Sequence, residues 1–404
     1  MGKNAREIKF MKTDLKVLYI LEIFPEISET FILDEILEVM RQGIEVEIVS
    51  LVKPKEVKYH KNYHALLSYT SYIKDIELPK KYLAAFVMLT RNPLRFFKFV
   101  KYLYRIEKYV RNTRNRLLEI CYLCQYAKRR RIEHVHAHFA NISTSYAMWI
   151  HMLTDLPYTF TTHGYDVFYV IAKDMYLKTK LAKVHITISD FNKNYLESKL
   201  NINSQKIKRI YCGIDADRFS YKSIYDRENI ILNVGRLEKV KGQEYLIKAC
   251  HILKNKGLNF KCLIVGEGKE RSTLEKLIYE LSLNDICFLE GSRAHEGVIS
   301  YYKRSKLFVL SSISEGLPTV LKESLACGIP IVATNVRGIP EIIIDGKTGY
   351  LADSQSEQDI ADKILLLWND REAQERFSRN GRKLVEEKFV LSNQVKEIIN
   401  IWYN

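Results

Sequence analysis

Nowhere does the sequence carry the roughly 18 consecutive apolar residues that a membrane-spanning helix needs, so no helical span is expected. Cysteine is scarce. The seven present are scattered without a disulfide framework, which fits a reducing cytoplasm. Low-complexity tracts and short-period repeats are missing, which excludes a solenoid. The opening Met1-Gly2-Lys3-Asn4-Ala5-Arg6 has neither the apolar core nor the cleavage site of a signal peptide. Arg6 also breaks the myristoylation pattern, so neither form of processing is expected. Acid is almost missing from Lys80–Arg116, which holds 11 basic residues and one carboxylate, Glu107.

What is present is a globular chain of 404 residues, 47% hydrophobic, long enough for two domains with separate cores. Its net charge of +15 is unevenly placed. Residues 1–225 hold 37 Lys/Arg against 23 Asp/Glu, and the remainder holds 26 against 25. In Lys80–Arg116 the charge is interleaved with Tyr82, Phe86, Phe96, Phe97, Phe99, Tyr102, Tyr104 and Tyr109, and Pro93 is expected to split the stretch into two helices. Such a segment reads as a surface for an anionic membrane, where each Lys or Arg contributes about 1 kcal/mol and aromatics suit the interface. A solvated helical pair with core aromatics is the plainer reading. A nucleic-acid surface is not expected, because no recognition motif accompanies the charge.

Buried strand patterns alternate with helical ones. Strands are expected at Lys16–Ile23, Glu45–Leu51, Ile132–His138, Tyr158–Thr162, Val184–Ser189 and Ile207–Gly213, with a helix over Glu29–Arg41. The pattern restarts after Asp226. Strands are expected at Ile230–Gly235, Phe260–Gly266, Ile286–Glu290, Lys306–Ser311 and Pro330–Asn335, with helices over Gln243–Lys256 and Arg271–Leu281. Strands separated by helices form parallel sheets. The fold class is therefore α/β: two Rossmann-like domains facing a cleft, with ligands beyond the carboxyl ends of the strands.

Three segments carry chemistry. Gly235-Arg236-Leu237-Glu238-Lys239-Val240-Lys241-Gly242 joins a strand to a helix and offers two cations, Arg236 and Lys241, to a diphosphate leaving group. Gly266 and Gly268 end the next strand, where glycine lets backbone approach a ligand, though a plain turn reads the same way. In Ser314-Glu315-Gly316-Leu317-Pro318-Thr319-Val320-Leu321-Lys322-Glu323 two carboxylates are separated by seven residues. Glu315 sits just before a helix beginning near Pro318, whose start suits an anion, and Glu323 lies within it; two helical turns span about 7.2 residues, so the two could lie on one face.

The Glu315…Glu323 spacing, with Gly316-Leu317-Pro318 after the first Glu, resembles the E-x7-E motif of retaining glycosyltransferases of family 4, which have the two-domain GT-B fold. Gly235-Arg236 with Lys241-Gly242 is similar to that family's phosphate loop, and Thr162-His163-Gly164-Tyr165-Asp166 to its histidine motif. Ile210–Phe219 resembles the inter-domain segment. Phe24–Phe31 and His136-Ala137-His138-Phe139 are similar to the subgroup that builds bacterial exopolysaccharides and other surface polysaccharides.

The resemblance implies a division of labour. Residues 1–225 would form the N-terminal acceptor-binding domain, with a basic helical insertion near 80–131. Residues 226–385 would form the nucleotide-sugar-binding domain, and 386–404 a helix packing back on the N-domain. Arg236 and Lys241 would hold the donor diphosphate, Glu323 the ribose hydroxyls and Glu315 the donor sugar. His163 would orient that sugar; Gly266, Gly268, Gly316, Leu317 and Pro318 would complete the donor site. Ser28, Glu29, Thr30, His138 and Asp166 fall on the acceptor side. The family's usual paired-glycine loop after the first strand is replaced here by Pro25-Glu26-Ile27-Ser28-Glu29-Thr30.

The implied reaction is metal-independent and cofactor-free transfer of a sugar from a nucleotide-diphosphate donor to a glycan or lipid-linked acceptor, in the cytoplasm at the inner face of the membrane, with retention of configuration. A sugar phosphorylase on the same fold and a non-enzymatic nucleotide- or sugar-binding relative are the alternatives. Three other patterns point elsewhere and are set aside. Asp215-Ala216-Asp217 spells a D-x-D metal motif but falls between domains. His134, His136 and His138 share one strand face, yet no carboxylate or cysteine at obvious spacing completes a zinc set. Cys121 and Cys124 form a lone CxxC in a helical stretch, where two core cysteines are expected.

Overall fold

The computed structural model describes residues 15–26, 29–54, 61–106, 112–201 and 204–404. Ser28 and Tyr109 lie outside them. The chain forms two compact units. The first runs to Ile188 and adds Lys193–Ile210 and Val395–Asn404; the second holds Ser189–Asn192 and Tyr211–Gln394.

The first unit contains β1 (Lys16–Ile23), α1 (Thr30–Arg41), β2 (Glu45–Val52), β3 (Thr70–Tyr72), α2 (Leu78–Arg91), α3 (Pro93–Arg105), α4 (Thr113–Arg130), β4 (His134–His138), α5 (Ile142–Thr154), β5 (Tyr158–Thr162), α6 (Tyr165–Phe168), α7 (Met175–Leu181), β6 (Val184–Thr187), α8 (Asp190–Leu200) and β7 (Ile207–Arg209). Its sheet is parallel, in the order β3-β2-β1-β4-β5-β6-β7. β1 and β2 carry mainly apolar runs, as strands covered on both faces do, whereas β4 and β5 alternate with buried histidines and threonines. Val17–Ile20 and the whole of β4 and β5 are buried. Ile32, Leu33, Ile36, Val39 and Met40 recur at helical spacing and form the buried stripe of α1. Pro93 does split the basic segment. Its ring occupies the first position of α3, where no N–H is needed, and Asn92 caps the helix by accepting from the Arg95 N–H at 3.4 Å.

The aromatics of this segment divide. Phe99 and Leu103 are core, Phe96 and Tyr102 half-buried, and Tyr82, Phe86, Phe97 and Tyr104 exposed. Lys81 is not part of the basic surface; it is buried near Glu119. Cys121 and Cys124 are unpaired core thiols.

The second unit contains β8 (Glu228–Val234), α9 (Gln243–Asn255), β9 (Lys261–Val265), α10 (Arg271–Glu280), β10 (Cys287–Gly291), α11 (His295–Arg304), β11 (Ser305–Leu310), α12 (Thr319–Ala326), β12 (Ile331–Thr334), β13 (Tyr350–Ala352), α13 (Glu357–Asn369), α14 (Arg371–Lys388) and the start of α15 (Leu391–Tyr403). The sheet is again parallel, in the order β10-β9-β8-β11-β12-β13. Asp215 is a cap, accepting from the Asp217 N–H at 3.3 Å.

The last turns of α15 belong to the first unit. There the Trp402 Nε1–H donates to Thr159 Oγ1 at 3.0 Å, and Lys183 Nζ donates to the Trp402 carbonyl at 2.9 Å. The strands expected at Ile207–Gly213 and Val184–Ser189 are shorter than their apolar runs. Pairing between them stops at Thr187 and Arg209, where both runs leave the ladder.

Candidate functional site

Each sheet reverses its strand order once, between β1 and β4 in the first unit and between β8 and β11 in the second. The chain then leaves neighbouring strand ends in opposite directions, and the gap between the diverging loops is where open parallel sheets take ligands. The segments after β1, β4 and β5 in the first unit and after β8, β9 and β11 in the second lie at or next to these reversals, whereas Ile210–Phe219 follows the edge strand β7.

In the second unit three loops are laced together. The Gly235 N–H donates to the Val265 carbonyl at 3.0 Å, Leu237 N–H to Glu267 at 2.9 Å, and Ile313 N–H to Val240 at 2.9 Å. Gly266 sits at φ +152°, and a Cβ there would overlap the Gly235 carbonyl oxygen. At Gly268 a Cβ would overlap the Leu237 carbonyl. These glycines thus set how closely the loop after β9 approaches the Gly235–Gly242 loop.

Lys241 Nζ donates to Glu315 Oε1 at 2.6 Å, and Ser312 Oγ donates to the same oxygen at 2.9 Å. Both partners are largely buried, at 20% and 10% side-chain exposure. A charge-assisted hydrogen bond this short ties the loop after β8 to the loop after β11 and fixes a cation at the sheet reversal. Arg236 is at the surface, 60% exposed, and pairs with Glu238 at 3.0 Å.

The two glutamates do not share a helix face. The helix begins at Thr319, so Glu315 lies in the preceding loop, and only Glu323 is helical. Proline cannot continue a helix backwards through its missing N–H and bulky ring; Pro318 is extended, and Gly316 and the buried Leu317 form a bend before it. Glu323 is buried as well, and accepts from the Tyr302 hydroxyl at 2.9 Å. Its neighbour Lys322, fully buried, donates to the Cys212 carbonyl. Burial pushes this ammonium below its usual value. Neither Tyr302 nor Lys322 carries a signal readable from sequence, since each sits in an ordinary helical pattern.

In the first unit the histidines collect. His138, at the end of β4, meets His163 across 3.0 Å between Nδ1 and Nε2. Its other nitrogen, Nε2, lies 3.1 Å from Glu35 Oε1, which also accepts from the Tyr19 hydroxyl at 3.0 Å. His136 Nε2 is 3.7 Å from the same oxygen. A carboxylate does therefore complete the histidine face, contrary to the spacing argument. Glu35 comes from α1, packed over the β1–β4 junction, and no linear spacing reveals it. Glu35, His136 and His138 have ligand atoms close enough to share an ion; as hydrogen-bonding groups they already satisfy one another.

Asp166 is buried. Its carboxylate accepts from the backbone N–H of Ala140 at 2.9 Å, His163 at 3.0 Å and Gly164 at 3.2 Å, pinning the loops after β4 and β5. Burial raises its carboxyl against these stabilising donors. Lys178, also missed, is buried below the same turn and donates to the carbonyls of Ala140 at 2.9 Å and Asn141 at 3.0 Å. Thr30 opens α1.

Glu29 precedes that helix. Burial pushes its carboxyl up to about 7, with His138 opposing and Glu26 and Glu22 adding to the rise. A carboxyl raised on folding stabilises the fold while protonated. Its contribution is whole below the ordinary value of 4.5 and is lost as pH rises through about 7. Glu29→Gln should therefore flatten the fall in melting temperature across that window. Parallel profiles for the two proteins would contradict the assignment.

The chain matches two family models, "Glycosyltransferase Family 4" over residues 28–218 and "Glycosyl transferases group 1" over residues 215–384. Among curated proteins it is 28% identical over 351 residues to the glycosyltransferase MJ1178 of Methanocaldococcus jannaschii, covering 84% of this chain and 89% of that one. It is also 28% identical over 372 residues to the putative colanic acid biosynthesis glycosyltransferase WcaL of Salmonella typhimurium, covering 87% and 90%. Among solved structures, Anabaena Alr3699/HepE in complex with UDP superposes with a TM-score of 0.74 over 96% of this chain and 99% of that one, at 14% identity. Adjoining family matches from residue 28 to residue 384, on two parallel Rossmann-like sheets, make the chain a member of the family 4 glycosyltransferases with the GT-B fold.

Proposed function

We propose that this glycosyltransferase uses a nucleoside-diphosphate sugar and transfers the sugar, with retention of anomeric configuration, to a glycan or lipid-linked acceptor of a surface polysaccharide. The observation that carries the donor assignment is the Lys241–Glu315 pair at the sheet reversal of the second unit. Lys241 is assigned to the departing diphosphate, whose negative charge grows as the glycosidic bond breaks, and Arg236 to the same group. Lys241 and Arg236 supply the charge that a bivalent metal supplies elsewhere, so none is assigned. The leaving phosphate is the group positioned to take the acceptor's proton. Glu315 and His163 are assigned to the sugar, and Glu323, held by Tyr302, to the ribose hydroxyls. UDP in the complex of the HepE fold-mate and the colanic acid role in the name of the WcaL relative support the nucleotide and polysaccharide parts of this reading.

Glu323→Ala tests the ribose assignment. Loss of hydrogen bonds to a charged group should weaken nucleotide binding by about 10–100-fold, measured by calorimetry. Unchanged affinity would contradict it.

A membrane setting is supported by α3. Leu94, Phe97, Lys98, Lys101, Tyr104 and Arg105 fall at helical spacing and all are exposed. With Leu83 and Phe86 exposed on α2, this face combines apolar anchors with cations. Although no helix among the described residues is long and apolar enough to cross a membrane, such a face suits the surface of an anionic leaflet. Reversing Lys98, Lys101 and Arg105 to Glu should weaken binding to phosphatidylglycerol vesicles by at least about 100-fold, at about 1 kcal/mol per lost cation and more for reversal. Equal sedimentation of both proteins with the vesicles would return the segment to an ordinary solvated helix pair.

A further inference from the structure

Three of the seven cysteines converge at one point of the second unit. Cys250 lies in α9, Cys262 is the second residue of β9 and Cys287 the first of β10. Their spacing along the chain gives no sign of a meeting; the fold supplies it. β9 and β10 are parallel neighbours with Cys262 opposite Cys287 in the ladder, and α9 shares their apolar core. The three Sγ atoms all lie within 4.8 Å of one another, and the thiols hydrogen-bond among themselves.

The backbone at each position is already fixed. The Cys262 N–H donates to the Ile286 carbonyl and the Cys287 N–H to the Leu283 carbonyl, each at 2.8 Å. Cys250 sits inside a helix of 13 residues. A set of ligands held this way loses little conformational freedom when it closes on an ion. Cys262 and Cys287 stand toward the amino ends of their strands, whereas Lys241, Gly266 and Gly268 belong to loops at the carboxyl ends of β8 and β9. The cluster is therefore separate from the site assigned to the nucleotide sugar.

Buried thiols in apolar surroundings are ordinary core filler, and two of them would carry no more than that. Three sulfurs aimed at one point make a coordination set. Bonds of about 2.3 Å to a central ion put three sulfurs about 4 Å apart, and the spacing here already comes within about 1 Å of that.

The ligands select the ion. Thiolate sulfur is soft and favours monovalent copper or zinc. Among the described residues no His, Asp or Glu joins the three sulfurs. Asp285, two residues before Cys287, is 74% exposed and pairs with Lys254 at 3.6 Å. Structural zinc takes four ligands in a tetrahedron, one more than this set provides. Charge points the same way, because an apolar core strongly disfavours a net charge. Cys250 and Cys262 have no exposed surface, and Cys287 only 4%. Exchange of one Cu⁺ for one thiol proton leaves the site neutral. One S–H bond breaks, its proton leaves to solvent, one copper–thiolate bond forms, and the other two thiols stay as neutral sulfur donors. No electron is transferred. Zinc must displace two protons to reach the same neutrality and still lacks a ligand.

We propose that Cys250, Cys262 and Cys287 form a binding site for a soft monovalent cation, the cuprous ion, which cross-links α9 to two strands of the sheet.

Binding is tested on the full chain, reduced and free of oxygen, with cuprous ion supplied as its bicinchoninate complex. The absorbance of that complex is followed until it is constant, so slow opening of the core affects only the time taken. Cys121 and Cys124 are a second pair of buried thiols, so the reference protein is Cys121→Ala/Cys124→Ala. It should withdraw one equivalent of copper per chain, and X-ray absorption should show sulfur as the only near neighbour of the bound ion. In that background Cys262→Ala should weaken binding by more than about 100-fold, since even a partner outside the ligand set matters by about 10–100-fold. Cys287→Ala should do the same, so that misfolding of one variant does not decide the result, and melting temperatures check both. Cys327→Ala, which removes a buried thiol outside the cluster, should bind as the reference does.

No copper withdrawn by the folded reference protein, nitrogen or oxygen neighbours around the ion, or full binding retained in both Cys262→Ala and Cys287→Ala would each overturn the proposal and return the three thiols to core packing. Displacement of the bound copper by an equal concentration of zinc would overturn the choice of ion.

Discussion

Lys241→Ala is expected to lower turnover of the nucleotide sugar by about 10²–10³-fold, the cost of removing one fixed donor from developing negative charge. The argument rests on placement. Lys241 closes the loop after β8, and Glu315 and Ser312 hold its neighbourhood from the loop after β11. An ammonium held in place needs no reorganisation when charge appears on the leaving group. The loss should fall on kcat more than on nucleotide affinity, because the interaction strengthens as the bond breaks. Removing the ammonium also leaves Glu315 without its cation, so Lys241→Ala with Glu315→Gln, compared with Glu315→Gln alone, separates lost catalysis from an unpaired carboxylate. If Lys241→Ala turns over near the wild-type rate, the residue has no part in leaving-group stabilisation.

Gly266→Ala should lower stability by roughly 2–6 kcal/mol, adding backbone strain of about 1–3 kcal/mol to overpacking of about 1–3 kcal/mol. For a unit of this size that corresponds to roughly 4–24 °C in melting temperature. The position has φ +152°, and a methyl group there meets the Gly235 carbonyl, part of the Gly235–Gly242 loop. Relief requires the two loops to part, so nucleotide affinity should fall with stability. Gly257→Ala supplies the control: its φ is also positive, at +77°, but nothing lies within 4 Å of an added Cβ. It should cost only the strain. Equal effects at both positions would mean that the close approach of the loops is unimportant.

The readable part of this molecule is what local chemistry determines. Inner strands such as β1 and β9 announce themselves as apolar runs, because parallel strands are covered on both faces. Thr70–Tyr72 and Tyr350–Ala352 escape notice because three-residue edge strands have no room for a pattern. The Gly235–Gly242 loop and the glutamates stand out because their residue types and spacing are unusual within one short segment. Glu35 is the opposite case. In sequence it is one acid among several on an amphipathic helix. It reaches the histidines only because β1 pairs with β4 across more than a hundred residues, with Tyr19 opposite His136. Lys178 and Lys322 are hidden for a related reason, since sequence cannot show that a lysine lies beneath a turn. The shared-face reading of Glu315 and Glu323 fails on a local point. Counting residues at helical pitch assumes a helix from Glu315 on, and it begins only at Thr319.

The central claim is that the second unit is built to hold a nucleoside diphosphate. The direct test is the melting temperature of the whole protein with UDP, GDP or ADP and with their glucose or mannose conjugates, each with and without EDTA. A ligand that binds only the folded state raises that temperature. One nucleotide should give a clear shift that EDTA leaves unchanged and that Glu323→Ala diminishes. No shift with any of them would contradict the donor site described above, and a shift abolished by EDTA would contradict its independence of metal.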